Sequence, residues 1–123
     1  MTELSLSSMT EQALSLLRAY DEVNERRYGR VWSTEELMLG FTGDVGDLSR
    51  LVIAKGGVRQ QDDLDQKIAH ELVDCLWSVL VLADRFGVDL STEITKNLSD
   101  LHARVAATMA RLEADYSADI TDP

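Results

Sequence analysis

The only proline in this chain is Pro123, its last residue. Proline removes a backbone donor and breaks helices, so a sequence that keeps it out of the interior is free to run in long helices. Seven glycines are the other punctuation, too few turn formers for a many-stranded β fold. The expectation is therefore an all-α protein, a four-helix bundle-like protomer. Its 123 residues, 45% of them hydrophobic, suit a single globular domain over 1–123. Residues 1–9 and 117–123 are expected to be flexible ends.

Local signals place the helices. Thr10 can N-cap the first, with Glu11 in its first turn, Leu14, Leu17 and Val23 as its apolar stripe, and Gly29 as its stop. Ser33 or Thr34 opens the second, with Glu35 and Glu36 at its start. It runs to about Lys55 before Gly56-Gly57. The third runs from about Asp63 to Phe86 and stops at Gly87. Asp89 or Ser91 caps the fourth, which continues to about Asp115 with Ile94, Leu98, Leu101, Val105, Met109 and Leu112 in regular apolar positions. A polar connector over 58–62 contains Arg59. Short links favour antiparallel neighbours, so helices two and three should form a hairpin.

That hairpin carries the chemistry. From Cys75 to Ala83 nearly every residue of the third helix is apolar, which predicts burial on most of its circumference. Glu71 and Asp74, three residues apart just before and at the edge of this run, lie close together on one side. On the second helix, Gly40, Gly43 and Gly46 each cost roughly 1 kcal/mol against alanine. At about 100° per residue, Glu36, Gly40, Gly43, Asp44 and Asp47 share one face. The face is acidic, and its small residues leave space beside the carboxylates. Taken singly, an Asp-x-x-Asp or Glu-x-x-Asp pair is an ordinary solvated face. Two pairs on consecutive helices, one among glycines and one against an apolar run, predict convergence on a cation. Glu36 is a candidate fifth acid. Oxygen-only ligands point to Mg²⁺, with Mn²⁺ as a substitute, rather than zinc. Ions of this kind take remaining ligands from substrate phosphates.

Other features narrow the field. A net charge of −10 argues against nonspecific binding to nucleic acid or anionic membranes. A lone cysteine, Cys75, excludes an internal disulfide and reads as a small core residue in a reducing compartment. No basic-then-apolar leader and no long apolar span is visible, so a soluble cytoplasmic protein is expected. His70 points about 100° away from Glu71 and reads as a surface group or a support to the acids. His102 reads as exposed. Lys67 has two readings, an ion pair with Glu71 or a phosphate contact, and Arg50 can pair with Asp47. Trp32, Phe41 and Trp77 are the aromatic candidates for a base pocket, Trp77 fitting the core better. Glu-x-x-His, the spacing of di-iron bundles, is not found.

Gly43-Asp44-Val45-Gly46-Asp47-Leu48, then His70-Glu71-Leu72-Val73-Asp74-Cys75-Leu76-Trp77, then Leu82-Ala83-Asp84-Arg85-Phe86-Gly87-Val88-Asp89-Leu90 resemble the MazG-like all-α nucleoside triphosphate pyrophosphohydrolases. The likeness covers roughly residues 33 to 105. That family carries Glu-Glu-x-x-Glu on one helix and Glu-x-x-Asp on the next. Glu71 and Asp74 match the second motif. In the first, Gly43 stands where the family has its first Glu, and Asp44 and Asp47 stand for the other two. The resemblance implies Mg²⁺-dependent hydrolysis of a nucleoside triphosphate to monophosphate and pyrophosphate, with Asp44, Asp47, Glu71 and Asp74 as catalytic metal ligands. It also implies a homodimer or homotetramer with the nucleotide near a subunit interface. Lys96, Asn97 and Arg104 answer to the phosphate-contacting Asn and basic residues of the family's later helix, beside Lys67 and Trp32 as further substrate contacts. In some members the first Glu positions or activates the attacking water. Gly43 therefore keeps a second reading open, a nucleotide-binding protein with impaired turnover. A structural helical oligomer with solvated acids is a third.

Overall fold

A computed structural model describes residues 3–57 and 63–121. Four helices follow one another: α1 (Leu6–Tyr28), α2 (Thr34–Gly56), α3 (Leu64–Arg85) and α4 (Leu90–Thr121). There is no strand among the described residues, and none of these helices is long and apolar enough to cross a membrane. The chain divides into two compact units, Met1–Val88 and Asp89–Pro123.

In the first unit, α3 packs against both α2 and α1. The α2–α3 hairpin is antiparallel, and two contacts at its opposite ends show it. Lys55 Nζ lies 2.6 Å from Asp65 Oδ1, while Arg85 Nη1 donates to Thr34 Oγ1 at 3.3 Å. The start of α2 thus meets the end of α3. Helix α1 is fastened by Trp77, whose indole N–H donates to the carbonyl of Ala13 at 3.1 Å. Tyr20 adds an edge-on contact to Trp77, with ring centroids 5.9 Å apart.

Helix ends follow their sequence signals with two exceptions, the start of α1 and the end of α4. Ser33 and Glu36 form a reciprocal capping box at the start of α2, satisfying two otherwise orphaned N–H groups. Gly29 takes φ 71° and its N–H bonds the carbonyl of Glu25, the left-handed ending that glycine adopts without strain. Asp89 Oδ1 accepts from the Ser91 and Thr92 N–H groups, at 3.1 and 3.4 Å. Thr10 is not a cap. Helix α1 begins five residues earlier, where Ser5 Oγ accepts from the Ser8 N–H, and the Thr10 hydroxyl bonds back to the Leu6 carbonyl at 2.9 Å. Leu6 to Met9 are therefore helical, and α4 extends past Asp115 to Thr121. The connector with Arg59 lies outside the described residues.

The apolar core is small. Among the described residues its buried members are Ala13, Leu17, Leu37, Leu64, Leu80 and Val81, of which Val81 alone is fully enclosed. Val23, expected on the inner stripe of α1, is exposed. Around α3, Ser78, Leu80 and Val81 are buried, but Leu72, Val73, Leu76 and Val79 face outward. Burial of α3 on most of its circumference is thus not found among the described residues of the first unit, where α1 and α2 pack against it. Helix α4, by itself, has no buried residue. Its stripe of Ile94, Leu98, Leu101, Val105, Met109 and Leu112 is about half exposed or more.

Candidate functional site

Three carboxylates converge across the hairpin. Asp44 and Asp47, one turn apart on α2, and Glu71 on α3 each place an oxygen within 4.8 Å of the others. All three side chains are partly buried. Glu71 Oε2 is sealed from solvent and has no hydrogen-bond partner among the described residues. A buried anionic oxygen without a donor is costly, and a cation is the natural counterpart.

The electrostatics agree with the geometry. Burial pushes the Asp44 carboxyl above its ordinary value, and the charges of Asp74 and Asp47 push it further. Glu71 is raised in the same way, by burial first and then by Asp74, Asp44 and Asp47. Like charges this close favour protonation or a bound cation. Asp74 stands beside the three rather than among them. Its Oδ2 lies 3.2 Å from His70 Nε2, one turn back on α3. A protonated His70 offsets part of the repulsion at both Asp44 and Glu71. Cys75 is also raised, by burial and by Asp44, Glu71 and Asp74, which disfavours the thiolate and any nucleophilic role.

Glu36 is not a fifth acid of the cluster. Its two oxygens take a fork from Arg30, at 2.6 and 3.0 Å, and one of them also accepts the Ser33 N–H. These partners hold its carboxyl down at about 2. Arg30 competes for the charge, and the capping box aims the side chain at the helix start.

Two cavities flank the acids. One, of about 350 Å³, is bounded by Tyr20, Trp32 and Trp77 together with Glu36, Gly40, Asp44 and Asp74. Tyr20 packs on Trp32 with centroids 5.5 Å apart. Phe41 is not part of that wall. The second, of similar size, is bounded by Asp47, Arg50, Lys67 and Glu71. Arg50 is paired with Asp47. No ion pair joins Lys67 to Glu71 among the described residues, so the simpler of its two readings falls away. The three α4 residues, Lys96, Asn97 and Arg104, belong to the second unit. There Asn97 Nδ2 is engaged by its own helix, donating to the Glu93 carbonyl at 2.7 Å.

Two members of the site escape a reading by face alone. His70 reaches Asp74 because i and i+4 are neighbours on a helix, a spacing present in the sequence but overshadowed by its divergence from Glu71. Tyr20 has no sequence signal of its own, since nothing local says that α1 turns it toward Trp32. Comparison with protein-family models, curated proteins and solved structures finds no match to this chain.

Proposed function

We propose that this protein is a Mg²⁺-dependent nucleoside triphosphate pyrophosphohydrolase of the MazG-like kind, acting as a homo-oligomer. The observation that carries the reading is the meeting of Asp44, Asp47 and Glu71 oxygens within 4.8 Å, with a sealed Glu71 oxygen that lacks a donor. These three residues, with Asp74 alongside, would hold the ion. Bound there, Mg²⁺ supplies charge neutralisation and polarisation at phosphate oxygens, and Mn²⁺ would substitute. The chain's own residues would bring the reactants together: the aromatic cavity would receive the nucleoside, and the acids would position the phosphates by holding the ion. In the reaction, water adds to the α-phosphorus and the bond to the β-phosphoryl oxygen breaks. The products are nucleoside monophosphate and pyrophosphate, with release of a proton at neutral pH. Clearing of non-standard nucleotides is the role such chemistry serves.

Exposed apolar surface supports the oligomer. A solvated monomer seldom leaves so many large apolar side chains uncovered, and a core with one fully enclosed residue asks for a partner. The α4 stripe, with its three- and four-residue spacing, suits helix–helix packing with a second copy. A dimer or tetramer would cover it.

A second reading rests on Gly43. A Cβ built there would meet nothing within 4 Å, so the position where the resembled family has its first Glu is open and carries no carboxylate. Binding of nucleotide without turnover is the corresponding function. Incubation with the common and modified triphosphates in Mg²⁺ and in Mn²⁺, followed by product analysis, tests both. Monophosphate and pyrophosphate in equal amounts are expected. Tight Mg²⁺-dependent binding without product would replace hydrolysis by the binding reading, and neither binding nor product would remove both.

A further inference from the structure

The four acids of the hairpin are divided between its two cavities. Asp44 and Asp74 belong to the aromatic one, whereas Asp47 and Glu71 belong to the one that holds Arg50 and Lys67. Along α2, Gly40 borders the first and Arg50 the second, a separation of about 15 Å at 1.5 Å per residue. Along α3 the order is reversed, Trp77 and Asp74 toward the aromatic end and Lys67 toward the basic end. The hairpin face that carries the two cavities therefore has a direction, with flat π surfaces at one end, cations at the other and the carboxylates between.

Resting on the nucleotide reading above, we infer that Arg50 and Lys67 bind the pyrophosphate end of the substrate, so that the hairpin alone orients the nucleotide along this face. The nucleoside lies against Tyr20, Trp32 and Trp77, and the terminal phosphates lie against Arg50 and Lys67. Both cations are exposed and so are accessible to a charged ligand. Arg50 now rests on Asp47, a carboxylate inside the cluster. A cation delivered to the cluster competes with Arg50 for Asp47 and frees its planar fork for phosphate, which it fits in a bidentate manner. Lys67 has no such exchange to make and serves as a point charge. The acids would otherwise repel a polyphosphate, and of the two cavities it is this one that is lined by cationic donors.

Calorimetric titration of the full chain with Mg²⁺ alone, Mg²⁺-pyrophosphate and a nucleoside monophosphate in Mg²⁺ tests the assignment. Lys67→Ala and Arg50→Ala should each weaken pyrophosphate binding on the order of tenfold, the effect of one charge-assisted contact. Monophosphate affinity should stay within about twofold, a small fraction of such a contact. Trp32→Ala should do the reverse. Arg50→Lys should recover part of the loss. Equal losses for both ligands, or none, in Lys67→Ala and Arg50→Ala would overturn the assignment while leaving the nucleotide reading intact. Failure of the unaltered protein to bind Mg²⁺ or either ligand would overturn both.

Discussion

Glu71 on α3 and Asp44 on α2 bring carboxylate oxygens within 4.8 Å of each other across the hairpin, and one oxygen of Glu71 is sealed without a donor. These carboxylates repel one another, and a bound cation would relieve that repulsion. Glu71→Gln should raise the melting temperature in chelator, because it removes a repelling charge and supplies an amide donor. It should also abolish most of the Mg²⁺-induced stabilisation. For the unaltered protein that gain is about 2.7 kcal/mol at a ligand excess of 100-fold over Kd. Thermal denaturation with and without Mg²⁺ measures both. An unchanged Mg²⁺ effect in Glu71→Gln would assign the acids to solvent.

Protons and metal compete for the same oxygens. Since Asp44 and Glu71 both titrate above their ordinary values of 3.8 and 4.5, Mg²⁺ affinity should begin to fall at a higher pH than ordinary carboxylates would give. In the absence of metal the sign reverses. Raised folded-state values mean that the folded form gains stability on acidification through them, a gain complete below the unfolded values. Calorimetric Mg²⁺ titration and metal-free melting, each followed from pH 7.5 to 4, should move in opposite directions.

Glu36 behaves in the contrary way. Its carboxyl is held at about 2 against an ordinary 4.5 by Arg30 and Ser33. The contribution is fully present above the ordinary value and is lost as pH falls through about 2. Acid denaturation of the unaltered protein should be steeper in that window than in Glu36→Gln. Ser33→Ala, which removes the other half of the capping box, should cost about 1 kcal/mol at neutral pH.

Gly43 is the position at which a single change should add function. Its backbone is helical and a Cβ there meets nothing within 4 Å. Gly43→Glu should gain up to about 1 kcal/mol of helix stability and raise the rate of monophosphate release. Gly43→Ala provides the control, with the stability but without the rate.

Covering the α4 stripe is a separate matter from the acids. Leu101→Glu, in the middle of that stripe, should reduce the molar mass measured by light scattering to that of one chain. Leu101→Met should not. An unchanged mass in Leu101→Glu would move the interface to Leu72, Val73, Leu76 and Val79 on α3.

Much of the fold was legible because its signals are local. Ser33 and Glu36 are three residues apart, Gly29 needs only its own φ, and Asp89 reaches the N–H groups of Ser91 and Thr92. The first helix start was missed for the same kind of reason. Ser5 and Thr10 are both competent caps, and the choice falls to how far the chain before Thr10 can pack. The apolar run of α3 misled by length. Its composition reports that burial is needed, not how many neighbours one chain provides.

The spacing of Asp44 with Asp47, and of Glu71 with Asp74, follows from the pitch of a helix, so each pair was settled on its own face before any packing was known. Which of the four then converge, and how Tyr20 comes to line a cavity with Trp32, were decided only when α2 and α1 docked on α3. Periodicity is a property of one helix. Distances between helices depend on side chains far apart in the chain finding a common core.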